Sequence, residues 1–379
     1  MRLVFYSIIL NHHQVCVADE FYRILGKDYI FVELTKCNQN KGATEDFSMR
    51  PYLIQAWKST DNYDKAMQLV RIAEVCVFSG YESLRFQKIR MKLGLLSFDM
   101  GERWLKKGVI NLVSPRILKM FLAYHIGGWK NKTIYKLCCS AFARQDMNFL
   151  GMYKEKCYKW GYFTNVDKDF TFRLSKQDVS SSKSISLMWC ARFLKWKHPE
   201  LPVLLAAKLM AKGYKFTLDM YGDGIEFENI KKLARNLFVE DVVSFKGSVP
   251  NEQVIQAMRT HDIFLFTSDN NEGWGAVANE AMSNGCCLVG SDEIGCVPYL
   301  VADRKNGLIF KSCAIESLTD KVIYLMDHPE ELYRFAEAGV FTMQYVWSPE
   351  CAAMNLLKLI NSFLNGQKIS IIQGPCSIA

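Results

Sequence analysis

The sequence has no apolar run approaching the ~20 residues that a helix needs to cross a bilayer. Its apolar opening, 2–10, meets Asn11-His12-His13-Gln14 at once and lacks a small-residue cleavage site, so it reads as a first buried strand rather than a leader. No C-x-x-C pair and no His/Cys zinc spacing organises the thirteen cysteines. They are expected as reduced thiols of a cytosolic protein, many serving only as small core residues. No G-x-G-x-x-G follows the first strand, which weighs against a dinucleotide-dependent dehydrogenase. From Arg103 to Gln145 acidic residues are missing altogether.

That last absence locates the charge. The 379 residues carry a formal net charge of +8, and the acid-free window alone holds nine cations: Arg103, Lys106, Lys107, Arg116, Lys119, Lys130, Lys132, Lys136 and Arg144. Arg85, Lys88, Arg90 and Lys92 extend it upstream, and Trp104, Phe121, Tyr124, Trp129 and Tyr135 interleave it. The stretch 85–144 is therefore expected to meet an anionic membrane surface, with a merely solvated basic face as the alternative. Nucleic acid is not expected, because no recognition motif accompanies the charge. Half of the residues are hydrophobic, and the length suits two α/β domains better than one core.

The most informative stretch is 262–285. An apolar run, Ile263-Phe264-Leu265-Phe266, reads as a buried strand; Asn270-Asn271-Glu272-Gly273-Trp274-Gly275 turns it; and 276–283 reads as a short Ala-rich helix closed by Asn284-Gly285. Gly273 and Gly275 let the backbone approach a ligand, and the free N–H groups at the helix start favour a phosphate. Glu272 and Glu280 frame that anion site. At about 1.5 Å rise per residue they lie roughly 10 Å apart at most, too far for an acid–base dyad on one bond but suited to gripping two parts of one elongated ligand.

Glu272-x7-Glu280, with its glycines and small-residue helix, resembles the signature of retaining GT-B glycosyltransferases of the family 4 / group 1 type. The resemblance extends over about 186–365. It implies an α/β fold of two Rossmann-like, doubly wound domains facing a central cleft, with a C-terminal helix crossing back to the first. On that basis 1–166 is expected to be the acceptor-binding domain, rejoined by a helix at 349–365. Residues 167–185 are expected to be a linker, 186–348 the nucleotide-sugar-binding domain and 366–379 a loose tail.

Alternating strands and helices support a parallel sheet in each domain. In the first, strands are expected at 2–10, 29–34, 75–79 and 95–98, and 114–150 reads as helical and basic. Ligands gather at the C-terminal ends of such strands, which makes His12, His13, Glu82, Asp99, Glu102 and Arg103 rim residues. All but Glu82 are acceptor candidates. In the second domain a strand at 186–190 delivers Arg192, with Lys197 five positions on, a fork and a point charge suited to a diphosphate. Ala191 stands where the resembled family usually has glycine. Further helices are expected at 315–327, 329–339 and 347–364.

The resemblance implies roles. Arg192 and Lys197 would stabilise the leaving diphosphate, Glu272 would orient the sugar and Glu280 would hold the ribose. Gly222, Val249, Gly273, Trp274, Gly275, Ala276 and Val277 would line the nucleotide-sugar. The implied activity is a retaining, metal-independent hexosyl transfer from a UDP- or GDP-linked sugar to a glycan or lipid-linked acceptor in bacterial surface polysaccharide assembly. The donor is a co-substrate, and no cofactor is expected. The enzyme is expected in the cytoplasm, peripheral to the inner face of the membrane. A nucleotide-sugar 2-epimerase and a non-catalytic GT-B partner subunit are the alternatives.

Overall fold

The structure, a computed structural model, describes residues 1–36, 46–172 and 184–379. It divides into two units, one of Met1–Asn165 with Trp347–Ala379 and one of Val166–Val346.

Unit 1 is built on a parallel sheet of β1 (Leu3–Ser7), β2 (Tyr29–Glu33), β3 (Leu53–Gln55), β4 (Val75–Ser79), β5 (Ser97–Gly101), β6 (Ile134–Cys138) and β7 (Cys157–Lys159) in the order 3-2-1-4-5-6-7. The central strands are β-branched and aromatic runs buried on both faces, as helix-covered parallel strands must be. Helices α1 (Val15–Leu25), α2 (Thr60–Ile72), α3 (Leu84–Leu93), α4 (Pro115–His125) and α5 (Ala143–Phe149) supply the cover. Ser59 caps α2 by accepting from Asn62 N at 3.1 Å, a contact that contributes about 1 kcal/mol.

Unit 2 repeats the plan. Its strands are β8 (Ile185–Cys190), β9 (Phe216–Tyr221), β10 (Val243–Gly247), β11 (Ile263–Phe266), β12 (Cys287–Ser291) and β13 (Leu308–Phe310), in the order 10-9-8-11-12-13. Helices α6 (Glu200–Ala211), α7 (Phe227–Asn236), α8 (Asn251–Thr260), α9 (Val277–Ser283), α10 (Val297–Leu300), α11 (Ile315–Asp327) and α12 (Pro329–Tyr345) complete it. Both sheets reverse their strand order beside the first strand of the unit, between β1 and β4 and between β8 and β11. These are the topological switch points at which doubly wound sheets bind ligands.

A last helix, α13 (Pro349–Leu364), belongs to unit 1. Ser348 caps it on Cys351 N at 3.2 Å, and Pro349 fixes its first turn. Its buried stripe of Ala352, Ala353, Leu356, Leu359 and Ile360 packs with α1, and the Phe363 ring stacks on Tyr135 at 3.9 Å.

Several expectations change. The segment 114–150 is not continuous helix, because β6 runs through it. The strand expected at 95–98 lies at 97–101, which puts Asp99 inside it. The helix expected to end at 339 continues to Tyr345. Of the expected linker, 173–183 lies outside the described residues, while 167–172 is packed: Gln344 Nε2 donates to the carbonyls of Asp167 (3.0 Å) and Phe170 (2.9 Å).

Of the tail expected to be loose, the last six residues, 374–379, are packed. Cys376 is buried, and backbone bonds of 2.7–3.1 Å join Cys376 N to Lys159 O, Lys159 N to Ser377 O and Ala379 N to Cys157 O. The free edge of β7 thus gains the partner that an edge strand otherwise lacks. The stretch holds an isolated antiparallel bridge, Tyr158 to Ile378.

Candidate active site

The site in unit 2 forms where β8 and β11 end side by side. After Cys190 the chain turns through Ala191 and Arg192 to Phe193, whose fully buried ring meets Trp189 and Phe227 edge-on at 4.8 and 4.9 Å. Phe193 N donates to Asp223 O at 2.9 Å, pinning this loop to the turn after β9. That approach demands Gly222 and Gly224. At Gly222 (φ +118°) a Cβ would sit 2.0 Å from the Ala191 carbonyl oxygen, and at Gly224 it would sit 2.5 Å from that of Phe193.

A single 3-10 turn, Lys195–Lys197, then presents Lys197. Its carbonyl accepts from Thr267 Oγ1 at 2.8 Å, and that hydroxyl in turn accepts from the buried Trp189 Nε1 at 2.9 Å. Core packing thereby fixes the position of the lysine. Its ammonium lies over the Trp196 ring, 4.3 Å from the centroid.

The β11 exit carries the carboxylate. Asp269 N donates to Trp196 O and Glu272 N to Asp269 O, both at 3.0 Å, so the two loops are laced together. Glu272 Oε2 accepts from Ser268 Oγ at 3.1 Å and from Lys197 Nζ. Gly275 (φ +91°) lets the chain enter α9, since a Cβ there would strike Phe266 at 2.3 Å. Ala276 is buried and Val277 opens α9; Gly273 is buried beside them.

Glu280, one turn into α9, is half-buried, with Asn251 Nδ2 at 3.4 Å. Burial pushes its carboxyl up to about 7, against a smaller lowering by Asn251. Arg192 is exposed and has no ion pair among the described residues. Val249 is half-buried in the loop after β10.

Trp274 faces inward. Its side chain is buried, and Nε1 donates to Asn279 Oδ1 at 2.9 Å, so it braces the turn from inside and offers a ligand only its backbone. Other residues escaped the sequence reading. Cys190 ends β8 with its thiol pushed up to about 12, chiefly by burial and secondly by the charge of Glu280. His198, in left-handed backbone at φ +49°, sits 2.7 Å from Glu200 and 3.5 Å from Asp269. The bond to Glu200 raises its pKa most. These residues carry no motif: His198 and Glu200 are near neighbours in sequence, and only the fold brings Asp269 to His198 and Glu280 to Cys190.

In unit 1 the acceptor candidates separate into two groups. The His12 and His13 rings lie 3.8 Å apart, and His13 stacks on Tyr162 at 5.4 Å. Tyr162 OH donates to Glu102 Oε1 at 2.6 Å, and Lys106 Nζ lies 2.5 Å from Oε2. Burial first, and His12 second, lower the His13 pKa to about 3, so its imidazole is neutral at physiological pH. Glu33 holds the β1 exit loop from below, accepting from Leu10 N at 3.3 Å and Trp57 Nε1 at 3.1 Å.

Asp99 and Arg103 do not join them. Asp99 is buried on β5, accepting from Lys136 Nζ at 2.9 Å and Tyr153 OH at 3.0 Å. Arg103 pairs with Asp146 at 3.2 Å. The basic stretch is thinned for the same reason. Lys136 is interior, and fully buried Arg90 donates to the carbonyls of Val70, Ala73, Glu74 and Leu96 at 2.6–3.2 Å.

Comparison with solved structures identifies the fold. Among solved structures, the lipopolysaccharide outer core galactosyltransferase WaaB matches with a TM-score of 0.70 at 15% identity, over 96% of this chain and 100% of that one. Anabaena Alr3699/HepE in complex with UDP and glucose matches with a TM-score of 0.66 at 14% identity, over 96% and 100%. The fold is that of the GT-B glycosyltransferases.

Residues 171–340 match the model of the glycosyl transferases group 1 family. Curated relatives include the N-acetyl-alpha-D-glucosaminyl L-malate synthase of Bacillus anthracis, 30% identical over 167 residues, 44% of this chain and 42% of the relative. The D-inositol 3-phosphate glycosyltransferase of Corynebacterium aurimucosum is 29% identical over 164 residues, 41% and 38% of the two chains. The alignments thus span about two fifths of the length of these relatives.

Proposed function

We propose that the protein is a retaining glycosyltransferase that moves a hexosyl group from a UDP- or GDP-linked sugar to a glycan or lipid-linked acceptor in surface polysaccharide assembly. The observation that carries this reading is the meeting of Lys197 and Glu272 at the unit 2 switch point, from loops 75 residues apart. A cation there draws the diphosphate, and the carboxylate beside it takes the hydroxyls of the attached sugar.

As the carbon–oxygen bond to the diphosphate breaks, negative charge grows on the leaving group. Lys197, exposed Arg192 and the amides from Gly275 to Val277 are preorganised donors for that charge. Ground-state binding of the sugar by Glu272 sets the anomeric carbon for attack. Glu280 takes the ribose hydroxyls, and the turns at Gly222 and Val249 flank the base. With these cations as the electrophilic partners, the reading assigns no step to a metal or cofactor. The acceptor falls to unit 1, to His12, His13 and Glu102, and its proton goes to the departing phosphate oxygen. Among the described residues no helix is long and apolar enough to cross a membrane. We place the enzyme in the cytoplasm against the inner face of the membrane, where lipid-linked acceptors are presented.

The test is nucleotide release from each common nucleotide-sugar in EDTA, wild type against Glu272→Ala. Slow release from one donor that disappears in the variant supports the reading. Isomerised sugar-nucleotide without transfer would replace it with an epimerase. Nucleotide binding without turnover, even with acceptor glycans supplied, would leave a binding subunit.

A further inference from the structure

Once the interior and paired cations of 85–144 are set aside, four of the remaining lysines line an apolar groove. The groove, open and about 730 Å³, lies between α3 and α4, and Leu122, Ala123, Ile126 and Trp129 are among its apolar lining. Lys88, Lys92, Lys119 and Lys132 rim it. None of the four has an acidic partner among the described residues.

Along the groove, α4 and the residue that follows it turn aliphatic side chains to solvent. Leu118, Leu122 and Ile126 recur every fourth residue and are 48%, 41% and 80% exposed. The preceding turn adds Val109, Ile110 and Val113, at 63%, 67% and 76%. Water disfavours such a cluster, and monomeric proteins seldom leave one uncovered.

We infer that α4, the turn before it and the lysine-rimmed groove form an insertion surface for an anionic lipid bilayer, the groove receiving a lipid phosphate above its apolar floor. The chemistry argues against two rival occupants and for the bilayer. Nucleic acid would use the cations and flat aromatic rings, but the exposed apolar groups here are aliphatic. A second copy of the chain would set these lysines against each other. An interfacial helix needs an aliphatic stripe flanked by cations, and that is the pattern present.

The inference rests on the membrane part of the proposed function but is independent of its chemistry. It is tested by flotation of the full chain with phosphatidylcholine vesicles, with and without about a third phosphatidylglycerol, at low and high salt. Binding is expected only to the anionic vesicles and weakens with salt. Lys88→Gln with Lys119→Gln lowers partitioning about 25-fold, roughly fivefold for each lysine. Leu118→Ser with Ile126→Ser leaves the charge untouched and lowers it about tenfold or more.

Thermal midpoints and Glu272-dependent nucleotide release without vesicles keep wild-type values in these variants, which rules out misfolding. Vesicle binding indifferent to Leu118 and Ile126 would overturn insertion. Binding of an oligonucleotide but not of vesicles, or self-association through this face in sedimentation, would overturn the lipid assignment. Loss of nucleotide release in the wild type with vesicle binding intact would overturn the transfer reading and leave the surface standing.

Discussion

Lys197 Nζ donates to Glu272 Oε2, joining the loop that leaves β8 to the loop that leaves β11. Both side chains are nearly buried, at 12% and 11% exposure. A pair this withdrawn from water acts as one unit: removing either partner strands the other charge. Glu272→Gln and Lys197→Met are each expected to slow nucleotide release about 100-fold or more. The double variant is expected to be about as slow as the worse single one. Steady-state kcat/KM for the three variants checks this, and losses that multiply would mean independent action.

Glu280 gives a pH signature. Its folded pKa, raised to about 7, exceeds the ordinary value of 4.5. Between those values the folded state binds more protons than the unfolded state. This contribution to stability therefore falls as pH rises from 4.5 to 7 and is flat above. Glu280→Gln removes the slope, which thermal midpoints across that range will show. A ribose diol held by the carboxylate favours the charged form, so nucleotide binding near pH 6.5 is expected to release protons. Calorimetry in two buffers of different ionisation enthalpy reads that release, and proton uptake would contradict the ribose assignment.

Gly222 and Gly247 form a controlled comparison. Both have positive φ, +118° and +70°, but a Cβ at Gly222 meets Ala191 O at 2.0 Å, whereas at Gly247 nothing lies within 4 Å. Gly247→Ala should cost about 1 kcal/mol for backbone strain alone. Gly222→Ala should cost at least about 2 kcal/mol and displace the Arg192 loop. Denaturant midpoints give the energies, and nucleotide affinity should fall only for the second.

The packed tail predicts a truncation effect. Removing residues 374–379 deletes the three backbone hydrogen bonds to β7 and uncovers its edge. A loss of roughly 3 kcal/mol is expected at about 1 kcal/mol per bond. Light scattering should also show concentration-dependent association through the bared edge. An unchanged thermal midpoint would mean that the tail adds nothing to unit 1.

Much of unit 2 was legible in the sequence because its strands are short apolar runs bounded by turn residues, and 216–221 coincides with β9. Local spacing singles out Arg192, Lys197, Glu272 and Glu280. The contact between Lys197 and Glu272 depends on strand order, which spacing does not encode. Unit 1 was harder to read. Ile134-Tyr135-Lys136-Leu137-Cys138 hides a strand because its central residue is a lysine, and only the partner Asp99 on β5 makes that lysine fit an interior. Arg90 carries no surface charge for a similar reason, since main-chain carbonyls at the end of α2, just after it and at Leu96 replace its water. The tail looked loose because a single antiparallel bridge leaves no alternating pattern in sequence.

The discontinuity of unit 1 also orders events at the ribosome. Unit 2 is a single segment, Val166–Val346, and is complete when its last residue emerges. Unit 1 starts earlier but still lacks α13 and the strip that covers β7, which arrive with Trp347–Ala379. The half begun first is therefore finished last, and until then the face of α1 and the edge of β7 stay open to solvent. Nascent chains stalled before residue 347 should present a protease-resistant unit 2 beside a unit 1 that chaperones still hold.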